Sequence, residues 1–275
     1  MKCIICKNEL NHFSNNSCLE MPVSHCKNCD MYVTGSSDDE IKRKLEMLYS
    51  GEYWEERNVE TSIKSNYTDI DSHGKRRNWI SQFAYCKKFL DEKKSILEIG
   101  VGGGQTIFWF DQINYNVVGI EPDSRNVDLI NKKLKNSKVI NSFIEDINLK
   151  QKFDVIWMSH VLEHLVRPDL FLKKIKNNLK PNGFFFIEVP SSEHKETLES
   201  SILDNPHVYH FTKKSLLRLI ESDYDIVSCD CFRPATKIEG VANKIFNRFN
   251  IYPYYPRILT DCKSGRDLRI ILKLK

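Results

Sequence analysis

The run Glu98-Ile99-Gly100-Val101-Gly102-Gly103-Gly104 constrains this chain more than any other. It follows a short apolar stretch and precedes a segment of helical period. Glycines let a backbone turn sharply and approach a ligand closely. From Ser95 onward short apolar strands alternate with amphipathic helices. Strands are expected at 95–99, 117–121, 138–141, 153–158 and 183–189, and helices at 104–112, 124–135 and 168–179. Lys180-Pro181-Asn182-Gly183 is expected to end the last helix and turn into a strand. A helix over 212–222 and strands near 225–231 and 267–274 complete the pattern. Such alternation implies an α/β fold with a mainly parallel, doubly wound sheet. Residues 234–266, with Tyr252-Pro253-Tyr254-Tyr255-Pro256, form an insertion too long for a plain turn and are a candidate lid.

The first 40 residues are different. They hold few long apolar runs, so they need a staple. Cys3-x-x-Cys6 and Cys26-x-x-Cys29 supply one. Each pair can form a tight knuckle with two thiolates aimed at one ion. Two knuckles give a closed, tetrahedral site of four thiolates, the structural zinc arrangement. Metal binding would then supply folding energy that a small core lacks. Residues 41–94 form a helical extension or linker. Ile41, Leu45 and Leu48 recur at helical spacing, as do Trp79, Ile80, Phe83, Ala84, Cys86 and Phe89. The third division, 95–275, is the α/β domain.

A glycine-rich turn alone does not select a ligand. The dinucleotide pattern Gly-x-Gly-x-x-Gly fails, because Gln105 stands where its third glycine would be. Glu121 ends the second strand, followed by Pro122. A carboxylate there can accept two hydrogen bonds from a ribose diol. Glu145 and Asp146 follow the third strand, placed to meet an adenine edge.

Together these residues resemble the class I S-adenosylmethionine-dependent methyltransferases over Ile96 to Ile147. The run from Phe153 through Ser159 and His160 to Glu163, His164 and Leu165 is similar to that fold's fourth strand and turn. Val189-Pro190-Ser191 resembles its fifth-strand region. Cys26 to Cys29, then Tyr49-Ser50-Gly51-Glu52-Tyr53-Trp54, resembles members that carry a zinc ribbon before the catalytic fold and modify sugars, surface glycans or natural products. The resemblance implies a Rossmann-like fold with a seven-stranded, mainly parallel sheet. It implies that Glu98, Gly100, Gly102, Gly104 and Gln105 line the amino-acid end of the methyl donor. Glu121 and Pro122 would hold the ribose, Ile144 and Glu145 would flank the adenine, and Ser159 and Tyr53 would complete the site. S-adenosylmethionine and a structural Zn2+ are the implied cofactors.

A hydroxyl acceptor needs its proton removed, most naturally by a His or a carboxylate. Ligands of open α/β sheets bind beyond the carboxyl ends of strands. His160 and His164 lie just past the fourth strand and are the first candidates. His207 and His210 sit in a loop before a helix capped by Thr212. Glu163 with a His is a possible divalent-ion site. The expected partner is a small-molecule or glycan acceptor, methylated on oxygen. An RNA methyltransferase and a non-catalytic donor-binding scaffold are the alternatives. Residues 1–30 hold three Lys and three acids, whereas a ribbon that tracks phosphates should be basic. Net charge is +4, hydrophobic residues make up 41% and charged residues 28%, as in a soluble globular protein. No run is apolar enough to span a membrane or to act as a secretory signal, so a cytoplasmic location is expected.

Overall fold

The structure, a computed structural model, describes residues 1–50, 63–64, 76–90, 95–147, 149–248 and 257–275. The N-terminal part contains β1 (Asn11–Ser14), β2 (Val23–Cys26), β3 (Met31–Thr34), α1 (Asp38–Ser50) and α2 (Arg76–Cys86). There follow β4 (Ser95–Ile99), α3 (Gln105–Gln112), β5 (Asn116–Glu121), α4 (Ser124–Asn131), β6 (Lys138–Asn141) and β7 (Phe153–Ser159). Next come α5 (Pro168–Ile175), β8 (Leu179–Pro190), α6 (Lys195–Leu203), β9 (Tyr209–Phe211) and α7 (Lys213–Ile220). The chain closes with β10 (Tyr224–Pro234), α8 (Lys237–Arg248), β11 (Arg257–Thr260) and β12 (Asp267–Leu274).

The main sheet runs β11-β10-β12-β8-β7-β4-β5-β6. The strands from β8 to β6 are parallel. The strands from β12 to β11 are antiparallel additions at the other side. Among the described residues the sheet has eight strands rather than the expected seven. The extra one, β11, is a four-residue edge strand inside the 234–266 insertion, too short to register as a periodic pattern. The same insertion carries α8. Lys180-Pro181-Asn182-Gly183 also departs from expectation, because it lies within β8 and not in a turn before it. Cys231 on β10 is disulfide-bonded to Cys262.

The strands are apolar because both faces are covered. Alternate residues face two separate cores. Leu97, Ile99, Ile156, Met158, Phe185 and Ile187 join one. Ile96, Val117, Val155, Trp157, Phe184 and Phe186 join the other. Local signals set the helix starts. The Asp123 side chain accepts from the N–H groups of Arg125 at 2.8 Å and Asn126 at 3.4 Å, capping α4. Thr212 and Ser215 form a reciprocal capping box at α7.

The N-terminal sheet is not self-contained. Its order is β1-β2-β3-β9, so its last strand comes from residues expected to be a loop. Met31, Tyr32 and Val33 pair with Phe211, His210 and Tyr209. That pairing needs a partner remote in sequence, which local pattern does not reveal. Further ties reinforce it: Thr212 Oγ1 donates to the Asp30 carbonyl at 2.7 Å, and Arg218 Nη1 donates to the Asn28 carbonyl at 2.8 Å.

The four cysteines of the two pairs converge. Each places its sulfur within 4.8 Å of the others. Lys7 and Asp30 directly follow the second cysteine of each pair, and both have left-handed backbone, φ 62° and 57°. That bend closes each knuckle, with Lys7 N–H donating to the Cys3 carbonyl at 3.0 Å and Asp30 N–H to that of Cys26 at 2.7 Å.

Arg269 on β12 is fully buried and stands directly opposite Glu188 on β8. Its Nε donates to Glu188 Oε2, and its Nη2 donates to Ser81 Oγ on α2 at 2.9 Å. Replacing Arg269 by Leu strands a buried carboxylate, which costs about 3–5 kcal/mol. Chemical denaturation is the measurement. A loss below about 1 kcal/mol, the range of exposed pairs, would overturn this account of the pair.

Candidate functional site

The site lies beyond the carboxyl ends of the parallel strands. Two cavities meet there. The first, of about 380 Å³, is lined by Gly100 and Gly102 of the glycine turn, Glu121 and Pro122 after β5, and Phe143, Ile144, Glu145 and Asp146 after β6. Val161, Leu165, Val166 and Arg167 close another side, and Lys42, Leu45 and Glu46 of α1 complete it. The second, of about 600 Å³, is lined by Pro190, Glu196, Thr197, Ser200, Ser201, Asn205, His207, Pro234, Arg257, Arg266 and Asp267. His160 and His164 line both.

The glycines serve distinct purposes. Gly100 has φ +75°, and a Cβ there would fall 2.4 Å from Val161 Cγ2. Gly104 has φ +81° and begins α3, where a Cβ would meet the Phe108 ring at 2.8 Å. Both positions require a residue without a side chain. Gly104 therefore shapes the turn but does not line the cavity. Glu121 is buried beneath the turn. Gly102 N–H donates to its Oε2 at 2.7 Å and Asp123 N–H to its Oε1 at 3.1 Å. Burial outweighs these two donors and pushes the carboxyl up to about 7.

Three other expected cofactor residues do not line the cavity. Glu98 is buried in β4, and burial together with Glu121 pushes it well above the ordinary carboxyl range. Ser159 accepts from Gln82 Nε2 at 2.9 Å and donates to Glu188 Oε1 at 3.3 Å. Gln105 is the first residue of α3 and does not line the cavity. Tyr53, with Trp54, lies outside the described residues. The α1 residues and Arg167 escaped sequence reasoning, because a helix preceding the glycine turn by some fifty residues carries no local sign that it roofs a cavity.

His160 directly follows β7 and has left-handed backbone, φ 55°. A bulky residue there is strained, and strain of this kind gathers at functional sites. Its Nδ1 lies 3.5 Å from Glu163 and its Nε2 3.2 Å from Glu188. Desolvation opposes a charge on the ring, but the two carboxylates prevail and raise its pKa well above the usual value. The two carboxylates thus favour the imidazolium form of His160. In that form, two buried carboxylates, Glu163 and Glu188, are balanced by two cations, His160 and Arg269. His164 is different. Its Nδ1 lies 3.1 Å from the Pro206 carbonyl, which can only accept, so Nδ1 carries a proton, and in the neutral ring the lone pair falls to Nε2. His207 faces the second cavity, while His210 is buried behind it. Glu163, His164 and His207 each bring one ligand atom within 4.8 Å of the others, so they could also hold a divalent ion.

Comparison with known proteins gives the family. Residues 72–226, more than half of the chain, match the family described as "Methyltransferase domain". The chain belongs to this methyltransferase family. Curated relatives include a ubiquinone biosynthesis O-methyltransferase of Bradyrhizobium diazoefficiens, 27% identical over 38% of this chain and 46% of that protein. Another, of the same description and from Pelagibacter ubique, is 28% identical over 53% of this chain and 63% of its own. The chain thus spans about half to three-fifths of these relatives. A solved structure described as an S-adenosylmethionine-dependent methyltransferase, possible histamine N-methyltransferase, from Thermotoga maritima shares the fold. Its TM-score is 0.53 at 18% identity, covering 73% of this chain and 91% of that one. No helix among the described residues is long and apolar enough to cross a membrane.

Gly100→Ala tests the turn. The methyl meets Val161 and the backbone is strained, so a loss of about 1–3 kcal/mol is expected. Thermal unfolding measures it. A variant as stable as the parent would show that the turn tolerates a side chain.

Proposed function

We propose that this protein transfers a methyl group from S-adenosylmethionine to a hydroxyl of a polar small molecule. The observation that carries this reading is the pair of cavities sharing His160 and His164. The first cavity has the glycine turn and the Glu121 carboxylate that suit the donor's nucleoside. The second is lined by Thr197, Ser200, Asn205, Arg257 and Arg266, a hydrogen-bonding surface suited to a sugar-like or otherwise polar acceptor. The curated relatives are O-methyltransferases by description, which favours oxygen.

The cofactor supplies an already activated methyl group, so the protein's task is alignment and proton removal. His164 is the proposed base, because it lines both cavities and is a histidine just past the fourth parallel strand end. His160, in its favoured protonated form, donates hydrogen bonds and does not accept a proton. Glu121 holds the nucleoside from below the glycine turn. The four clustered cysteines are proposed to bind Zn2+ structurally. Four thiolates complete its tetrahedron and leave no open position. The balanced charge of residues 1–30 weighs against an RNA substrate.

Three measurements test this. Labelled donor with a panel of hydroxylated small molecules should give an O-methylated product; transfer only to nitrogen, or only to RNA, would refute the reading. S-adenosylhomocysteine binding should tighten about tenfold from pH 6 to pH 8, because a group titrating near 7 must ionise to accept from a diol. The same carboxyl, raised in the folded state, favours the fold below its ordinary 4.5 and loses that contribution as pH rises through about 7. Glu121→Gln should flatten the binding profile; a persistent slope would assign it to another group. Third, a strong chelator should remove one zinc per chain and lower the melting temperature. Unchanged melting after metal loss would refute a structural zinc.

A further inference from the structure

A file of buried polar groups joins the N-terminal sheet to the second cavity. Thr34 ends β3 and is fully buried. Its Oγ1 lies 2.9 Å from His210 Nε2. His210 Nδ1 lies 2.7 Å from Ser201 Oγ on α6, and that same oxygen lies 2.8 Å from His207 Nδ1. At the far end His207 Nε2 faces Glu163 Oε1 at 3.9 Å. Burial pushes both rings down to about 3, so both are neutral.

Counting protons leaves two arrangements. A neutral imidazole has one N–H and one lone pair, and Ser201 has one proton to give. Ser201 therefore donates to one ring and accepts from the other. In the first arrangement Thr34 donates to His210 Nε2, His210 Nδ1–H donates to Ser201, and Ser201 donates to His207 Nδ1. His207 then turns its Nε2–H toward Glu163. In the second every proton is reversed, and His207 turns a lone pair toward Glu163. Both ends bias the choice: only the first arrangement hands the buried Thr34 proton to His210, and only the first turns an N–H toward Glu163. Burial of Glu163 favours the neutral form, but the approach of His160 Nδ1 at 3.5 Å opposes this, and its pKa is lowered below the usual carboxyl value. Beyond the approach of His160 Nδ1 at 3.5 Å, its oxygens have no hydrogen-bond partner among the described residues. A buried carboxylate attracts an N–H and repels a lone pair, so the first arrangement is the stable one.

We propose that Thr34 is a positioning residue for the second cavity: its hydroxyl, acting through His210 and Ser201, holds His207 as the Nε2–H tautomer that faces Glu163. The N-terminal module then does more than support the fold. Through the β3–β9 pairing it supplies the terminal proton donor of a relay that ends in the cavity wall. That this cavity receives the acceptor rests on the function proposed above; the tautomer assignment does not.

The test uses the full-length, zinc-loaded protein labelled with 15N-histidine. Long-range proton–nitrogen spectra distinguish protonated from lone-pair ring nitrogens, with His207→Gln and His210→Gln to assign the signals. The expected pattern is a proton on Nδ1 of His210 and on Nε2 of His207. Thr34→Val should remove the hydrogen bond at His210 Nε2 and leave His207 a mixture of tautomers, and Thr34→Ser should restore the parent spectrum. A parent protein with His207 protonated on Nδ1 overturns the proposal without any variant, so a Thr34→Val chain that fails to fold does not shield it. A folded Thr34→Val with the His207 signals unmoved overturns it too. Because no acceptor is needed, failure here is separable from failure of the methyl-transfer reading.

Discussion

The Glu188–Arg269 pair organises the middle of this molecule. It is formed across directly opposed residues of β8 and β12, where the parallel part of the sheet gives way to the antiparallel part. Arg269 also reaches Ser81 on α2 and lies over the Phe232 ring at 4.3 Å, so one guanidinium ties together the strand seam, an upstream helix and β10. Gln82 on the same helix donates to Glu188 Oε1 at 2.5 Å. A buried pair of this kind is a weak source of net stability but a strict condition on geometry, since losing either partner strands the other. Its reach extends to function. Glu188 is one of the two carboxylates that favour the charged form of His160, so the electrostatics of the cavity wall are set from inside the sheet.

The second organising feature is the sharing of β9. It precedes α7 in the α/β domain yet completes the N-terminal sheet. The strand carries His210, and the residues just before it carry His207. Their placement therefore depends on a module that the chain makes nearly two hundred residues earlier. The cysteine knuckles, β3, β9 and the cavity wall form one mechanical unit, although sequence alone divides them between two domains.

Much of this was legible in the residues. The glycine turn, the strands that follow it and the paired cysteines are local patterns with local physical causes. Gly100 and Gly104 stand where φ is positive, and Glu121 sits under the turn at the end of its strand. The parts that escaped notice depend on distance in sequence. Nothing in Tyr209-His210-Phe211 announces a strand, because three residues show no period and their partner lies at Met31 to Val33. The roof of the first cavity comes from α1, whose apolar stripe reads only as packing. His160 invited a reading as a base because a histidine after the fourth strand is well placed. Its two carboxylate neighbours, one of them 28 positions away on β8, raise its pKa and favour the charged form.

The shared strand also bears on how the chain tolerates shortening. If the segment through Thr34 were removed, β9 would keep its place before α7 but lose its partner. Its unpaired N–H and C=O groups would then lie along an open edge, flanked by the apolar Tyr209 and Phe211. Such an edge is a template for pairing with another chain. The N-terminal module thus also guards the catalytic fold against self-association. A shortened chain would be endangered less by a missing function than by a newly sticky surface.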